Sequence, residues 1–409
     1  MSFILQTFLD IFGAAFHIFT ANYFRQELPA PDLSSQKMKH IVIIGGGFAG
    51  VSTAHRFLKN VGKSTTAPYK VTLVSRDSHF FWNIAAPRGI IPGQIPEEKL
   101  FQPIAEGFSQ YGPDKFEFVL GTATDLDVGG KTLVVDVDGK ATRISYDYLI
   151  IGSGSRTKIP GPFKSDGSTD GVKQTIHDFQ ERVKAAKTIV VVGAGPTGVE
   201  TAGELAFEYG TSKKIILISG GPTVLENRPA SVTKTALKQL ETLNVDVRVN
   251  TKAKDPVTLP DGKKELTLSG GEKLVVDLYI PTFGVLPNSS FVPSQYLDSN
   301  GFVQVDQYFQ VKGAEGVFAI GDVSDSEAPQ FWFVEKQSVH IAKNLILSLS
   351  GKAPTPYKAS ATGMMGLQIG KNSGTGHFGN FKLPGFLVKT IRKTLFVENL
   401  PKTVDGSML

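Results

Sequence analysis

Two glycine-rich turns hold most of the chemistry that the spacing of residues in this 409-residue chain suggests. The first reads Gly45-Gly46-Gly47-Phe48-Ala49-Gly50 and the second Gly193-Ala194-Gly195-Pro196-Thr197-Gly198. In each G-x-G-x-x-G turn the first glycine permits a tight bend. The second lets backbone approach a pyrophosphate, and the third lets a helix pack closely on a strand. A helix beginning there presents unpaired N–H groups and a partial positive charge to phosphate. Two such turns suit two nucleotides, most economically one flavin and one nicotinamide. Gly321-Asp322 ends the apolar run 316–320. At the carboxyl edge of a parallel sheet, Asp322 would accept hydrogen bonds from ribityl hydroxyls, or cap the segment that follows. Glu200 and Glu204 lie four apart after the second turn and so share one helix face.

Other chemistries are excluded or unsupported. The chain has no cysteine, which removes disulfides, thiolate nucleophiles, Cys-ligated zinc and a CxxC redox pair. Redox work must then fall to a bound cofactor. His17, His40, His55, His79, His177, His340 and His377 show no metal-binding spacing, so no metal is expected. The hydrolase elbow G-x-S-x-G occurs only in broken form around Ser153. With 41% apolar and 20% charged residues, the composition is that of globular domains with sizeable cores.

The elements that must carry these turns are legible around them. Residues 40–44 (HIVII) and 188–192 (TIVVV) are buried-strand runs, each followed by its glycine turn and a helical pattern. Residues 146–154 (YDYLIIGSG) and 277–284 (DLYIPTFG) are apolar strands ending in small residues. A helix is expected to open in the run 328–333 (APQFWF) and to end near Ser350, able to aim its N-terminus at a flavin edge.

The ends differ from the middle. Residues 3–24 are rich in Phe, Leu and Ile, with Gln6, Asp10, Gly13, His17 and Thr20 forming a narrow polar stripe at helical spacing. Asp and His argue against a spanning helix, and the lack of Lys or Arg before Arg25 argues against a secretory signal. An interfacial membrane helix is expected, with packing on the body or in a dimer as the alternative. Near the C-terminus, Lys371, Lys382, Lys389, Arg392, Lys393 and Lys402 face only Glu398 and Asp405, while the whole chain carries +5. Phe378, Phe381, Phe386 and Phe396 are interspersed, a composition that suits anionic lipid. No nucleic-acid-binding module is recognisable, so nucleic acid is not expected as a partner.

The order GxGxxG, YDYLIIGSG, VVVGAGPTGVETAGELA, GVFAIGD resembles the two-dinucleotide-binding flavoproteins of the pyridine-nucleotide oxidoreductase superfamily, in the branch lacking redox cysteines. The stretches 77–91, 356–381 and 393–406 resemble the AIF-like, ferroptosis-suppressor-like NAD(P)H:quinone oxidoreductases within that branch, near type II NADH dehydrogenases. The resemblance implies an α/β fold: two three-layer, Rossmann-like, glutathione-reductase-like domains and a small α+β C-terminal domain. Expected extents are 1–39 for the helix and linker, 40–155 with 283–350 for FAD, 156–282 for NAD(P)H, and 351–409 for the C-terminal domain. The implied cofactors are FAD and NADH or NADPH, and the implied partner is a quinone or other small organic acceptor. A homodimer is left open. The expected location is intracellular and peripheral, on a cytosol-facing membrane such as the mitochondrial outer membrane or a lipid droplet, and not secreted.

The same resemblance assigns roles. Glu200 positions the nicotinamide, with Phe283 and Gly284 beside it; Glu204 is structural. Trp82 and Asn83 lie beside the flavin, Arg88 meets the pyrophosphate, and Ala123, Ser153, Gly154, Gly321, Asp322 and Gln337 complete the flavin site. Trp332 and Lys336 are catalytic candidates, and either Lys336 or Gln337 lines the acceptor site, with a solvated face as the alternative for Lys336. Two positions depart from the pattern. Ser75, with Asp77 two residues later, stands where an acid usually holds the adenosine ribose, and Ser219 stands at the position that discriminates NADH from NADPH, within reach of Arg228. Two other functions fit the same motifs: a flavoenzyme acting on a phenolic or quinonoid specialised metabolite, and an AIF-like signalling or nucleic-acid-binding protein.

Overall fold

A computed structural model describes residues 37–165, 167–359 and 363–409. The helix expected at 3–24 lies outside them. The first sheet is parallel. It contains β1 (Lys39–Ile44), β2 (Tyr69–Ser75), β3 (Phe116–Leu120), β4 (Tyr148–Ile151) and, much later in the chain, β9 (Val317–Ala319), in the order β9-β4-β1-β2-β3. The second parallel sheet holds β5 (Thr188–Val192), β6 (Lys214–Ile218), β7 (Asp246–Arg248) and β8 (Leu278–Pro281), in the order β7-β6-β5-β8.

Both sheets are covered on both faces, which is why their strands are continuous apolar runs without alternation. In β5, Ile189 and Val191 pack with α2 (Thr169–Ala185), α3 (Pro196–Tyr209) and α4 (Ala230–Thr242). Val190 and Val192 pack on the other face with Leu266, Leu268 and Val276 of an antiparallel meander. The first sheet lies between α1 (Phe48–Val61) and α5 (Phe331–Leu349) on one side and a meander carrying Leu126, Leu133 and Val135 on the other. The mixed α/β architecture expected from the motifs is the one observed.

The last unit is an antiparallel sheet of β10 (Met364–Ile369), β11 (Ser373–Phe378) and β12 (Phe381–Lys382), followed by α6 (Gly385–Ile391). It sits against α3 at a close approach. A Cβ at Gly203 would lie 2.9 Å from Ile369 and 3.0 Å from the Gly370 nitrogen. After α6, Leu395 and Phe396 both adopt left-handed backbone (φ 53° and 59°). The Leu395 carbonyl accepts a 2.9 Å hydrogen bond from the Trp82 indole, which fixes that turn to the first unit.

Candidate functional site

The two glycine turns are superimposable in logic. Gly45 (φ +118°) and Gly193 (φ +107°) make the bends, in backbone conformations that disfavour a side chain. A Cβ at Gly50 would lie 1.9 Å from the Gly45 carbonyl oxygen, and one at Gly198 would lie 1.8 Å from that of Gly193. The outer glycines are therefore required by the protein's own packing. The middle ones are not: around a Cβ at Gly47 or Gly195 nothing lies within 4 Å. Each middle glycine is the N-cap of a 14-residue helix and caps no N–H with a side chain. Two open cradles of free backbone donors result, as pyrophosphate binding requires.

The first cradle opens into a cavity of about 390 Å³ between the ends of β1, β2, β4 and β9. Gly45, Gly46, Gly47, Phe48, Ala49, Ser75, Asp77, Asn83, Ala123, Ser153, Gly154, Gly321 and Asp322 all line it, bringing together residues from nearly 280 positions of sequence. Asp322 accepts at Oδ2 from Lys164 (2.6 Å) and Ser155 (2.8 Å). Oδ1 accepts from none of the described residues, so one oxygen is held and the other is available to a ribityl hydroxyl. Asp77 is engaged by the Ser165 hydroxyl at 2.9 Å, and burial pushes its carboxyl up from the ordinary range. Ser75 is buried and bonds back to the Asp77 backbone.

Several lining residues carried no signal in the sequence. Asn288 exchanges hydrogen bonds with Ser153, donating from Nδ2 at 3.0 Å and accepting at its carbonyl at 2.7 Å. Arg156 bonds the Pro287 carbonyl and the Asn288 side chain. Arg76, Arg156 and Lys164 bring three cations to the cavity wall. At the second turn, Thr282 donates to the carbonyls of Val192 and Gly193, tying β8 to the glycine bend.

Four assignments are corrected by the structure. Trp82 does not line the cavity. It is buried against Phe48 and Phe80 and donates to Leu395. Arg88 does not approach the pyrophosphate cradle. It is buried, grips Glu204 through Nε (2.9 Å) and Nη2 (2.7 Å), and bonds the Lys393 carbonyl and Gln368. Gln337 is a buried brace. Its carbonyl oxygen accepts from the Gly321 nitrogen and its amide nitrogen reaches Glu327, so it fixes the Gly321-Asp322 bend from behind. Ser219 is buried and donates its hydroxyl to Thr223 in its own loop. These side chains have protein partners because desolvated polar groups must be paired.

The remaining assigned residues lie at other places. Phe283 is exposed beside Gly284 (φ +73°) at the end of β8, outside the cavity. Lys336 lies over the Tyr357 ring at 5.7 Å, and Trp332 is half-buried on the same helix start. Phe331, 37% exposed, packs edge-on against Phe48 at 4.8 Å, so an aromatic path joins the cavity wall to the surface. Glu200 accepts at Oε1 from Arg392 Nη2 at 2.6 Å, a partner 192 positions away. Among the described residues no group of His, Asp or Glu could hold a metal ion.

Comparison with known proteins agrees with this geometry. Residues 39–343 match the family described as pyridine nucleotide-disulphide oxidoreductase. The chain is 31% identical over 393 residues to Oxidoreductase phnG of Penicillium herquei, covering 87% of this chain and 93% of that protein. It is 26% identical over 378 residues to human (Homo sapiens) Ferroptosis suppressor protein 1, covering 90% and 96%. Among solved structures, the sulfide:quinone oxidoreductase of Aquifex aeolicus has the same fold, with a TM-score of 0.72 at 18% identity over 89% of this chain and 92% of that one.

Proposed function

The chain belongs to the pyridine nucleotide-disulphide oxidoreductase family, and from that premise we propose that it oxidises NAD(P)H and delivers the electrons to a quinone-type acceptor at a membrane surface. Its cofactors are FAD and NAD(P)H. The observation that carries the proposal is the pair of open glycine cradles in a chain without a cysteine. With no thiol in the chain to relay electrons, a bound flavin would pass them directly to the acceptor.

FAD, when bound, supplies hydride acceptance and electron donation. The chain's own residues supply place and field. Backbone N–H groups after Gly47 and Gly195 hold the two pyrophosphates, and the helix N-termini add favourable potential. Asp322, braced by Lys164 and Ser155, would hold the ribityl chain. Arg76 and Lys164 are paired with Asp77 and Asp322 of the same wall, so Arg156 is the lining cation without a carboxylate partner among the described residues and would offset part of the negative charge brought into the cavity. Glu200, in the first turns of α3, would orient a bound nicotinamide, a positioning role that lowers the entropic cost of reaction.

The aromatic path Phe48–Phe331 supports a flat apolar acceptor, since it offers stacking area between cavity and surface. Curated relatives named for ferroptosis suppression and a structural neighbour named for quinone point the same way. Peripheral attachment is supported by Phe378, Phe381 and Phe386, all exposed on the C-terminal unit, with Lys382, Lys389 and Lys393 around them in sequence. No helix among the described residues is long and apolar enough to cross a membrane.

The test is acceptor-dependent turnover. Purified holoenzyme is given NADH or NADPH with a short-chain ubiquinone, a naphthoquinone, a phenolic substrate panel or oxygen alone. Quinone turnover well above the oxygen rate is expected. Oxygen or a phenol as the only competent oxidant would overturn the acceptor assignment.

A further inference from the structure

Glu200 and Glu204 sit one turn apart on α3, and each meets an arginine from outside that helix: Arg392 from the C-terminal unit and Arg88 from the first unit. The two pairs are built differently. Arg88 closes on Glu204 with two parallel bonds and uses its remaining Nη1 on the Lys393 carbonyl, which leaves that pair saturated. Arg392 touches Glu200 through one nitrogen and one oxygen only. The backbone N–H of Gln368 makes a long 3.4 Å approach to the same oxygen, Oε1. Oε2 of Glu200 accepts nothing from the described residues.

We propose that Arg392 is a positioning residue for the nicotinamide, acting through Glu200: it holds Oε1 and leaves Oε2 to accept a hydrogen bond from the carboxamide N–H of the bound nucleotide. The proposal rests on the NAD(P)H-oxidising function above and names the group that prepares its hydride-donor site.

Arg392 is placed for this by fixed backbone. It follows α6, and the two residues flanking the turn after it are pinned from the first unit, Lys393 through Arg88 and Leu395 through Trp82. The guanidinium also lies over the Phe396 ring at 5.7 Å, and its Nε is buried with no partner among the described residues. A polar atom is left unpaired so that the head group reaches Glu200, whose side chain is 13% exposed against 15% for Arg392.

The charged groups facing Glu200 are Arg392 from the C-terminal unit and Glu204 from its own helix, with the Gln368 N–H beside them. Burial pushes the Glu200 carboxyl above its ordinary range, Arg392 pulls it back down, and Glu204 adds a smaller upward push. Removing the guanidinium therefore raises that carboxyl further.

The experiment is anaerobic stopped-flow reduction of the bound flavin by NADH and by NADPH across the neutral pH range. It compares wild type, Arg392→Lys, Arg392→Gln, Glu200→Gln and the Glu200→Gln/Arg392→Gln double variant, with flavin content and melting recorded for each. In Arg392→Gln the rising limb of the rate profile should move to higher pH, and the NAD(P)H concentration needed for half-maximal reduction should rise. Arg392→Lys should restore most of the rate. The double variant should be no slower than Glu200→Gln, because both act through one carboxylate. A profile and nucleotide affinity unchanged in Arg392→Gln, or additive losses in the double variant, would overturn the assignment even with the wild type fully active. Wild-type flavin reduced by neither nucleotide would instead overturn the function on which it rests.

Discussion

Arg88 and Glu204 form a two-pronged ion pair, at 2.9 and 2.7 Å, between the helical turn Ala86–Gly89 of the first unit and α3 of the second. Both side chains are almost fully buried, and neither lines the cavity. Its contribution is to lock three parts of the chain together, since Arg88 also bonds Lys393 of the C-terminal unit. Glu204→Leu leaves an uncompensated buried guanidinium and should cost about 3–5 kcal/mol of stability. The Arg88→Met/Glu204→Leu double variant removes both charges and should recover most of that loss. Denaturant unfolding of the four proteins measures both effects, with flavin content per folded molecule unchanged.

The middle and outer glycines of the first turn should fail in different ways. A Cβ at Gly47 meets no protein atom within 4 Å, so Gly47→Val should fold with near-normal circular dichroism and emerge colourless. The new side chain occupies the phosphate cradle. Gly50→Val is driven into the Gly45 carbonyl, and more than about 4 kcal/mol of destabilisation should make it insoluble. Absorbance and melting of the two variants side by side separate a binding defect from a folding defect.

Acid should loosen the C-terminus through His55. The ring stacks on Phe108 at 3.9 Å and donates from Nε2 to the Val404 carbonyl, while Nδ1 accepts from the Tyr111 hydroxyl. Burial lowers its pKa to about 4. Between that value and the ordinary pKa near 6.5 the unfolded chain takes up a proton that the folded one refuses. The stabilisation from a neutral His55 is thus complete above about 6.5 and is lost as pH falls toward about 4, a swing of roughly 3 kcal/mol. His340, also lowered to about 4 by burial, adds in the same direction. Melting temperature against pH should fall over this interval, and His55→Gln should flatten part of the slope.

The glycine turns were legible because everything that makes them work is local: a strand, six residues and a helix. Ser153, Gly154 and Asp322 were legible for a related reason, since small or acidic residues at the carboxyl ends of apolar strands fall at one edge of a parallel sheet. Trp82, Arg88 and Gln337 were misassigned because their types suit a flavin site as well as they suit a core. Only their partners decide, and Leu395 and Glu204 lie 313 and 116 positions away. Asn288, Arg156 and Lys164 sit at short strands or irregular segments with no periodicity to mark them. The Arg392–Glu200 pair spans 192 positions and had no local signature at all.

Attachment to lipid should depend on the β11–β12 hairpin and α6. Phe378 and Phe381 are cross-strand partners and so share a face, and Phe381 and Phe386 are 69% and 71% exposed. A phenylalanine moved from water into an apolar phase contributes about 1.5–3 kcal/mol. Phe381→Glu or Phe386→Glu should therefore lower partitioning onto anionic vesicles at least about tenfold, with melting and soluble NAD(P)H oxidation unchanged. Vesicle flotation at low and high salt checks this, and added salt should weaken the wild type as well.

The most direct measurement of the central claim is anaerobic mixing of the yellow holoenzyme with NADH or NADPH, followed by a second mixing with a ubiquinone analogue. Bleaching of the flavin within a single turnover and full return of its colour on quinone addition are predicted. A bound flavin that neither nucleotide bleaches, or a reduced flavin that quinone leaves reduced, contradicts the account.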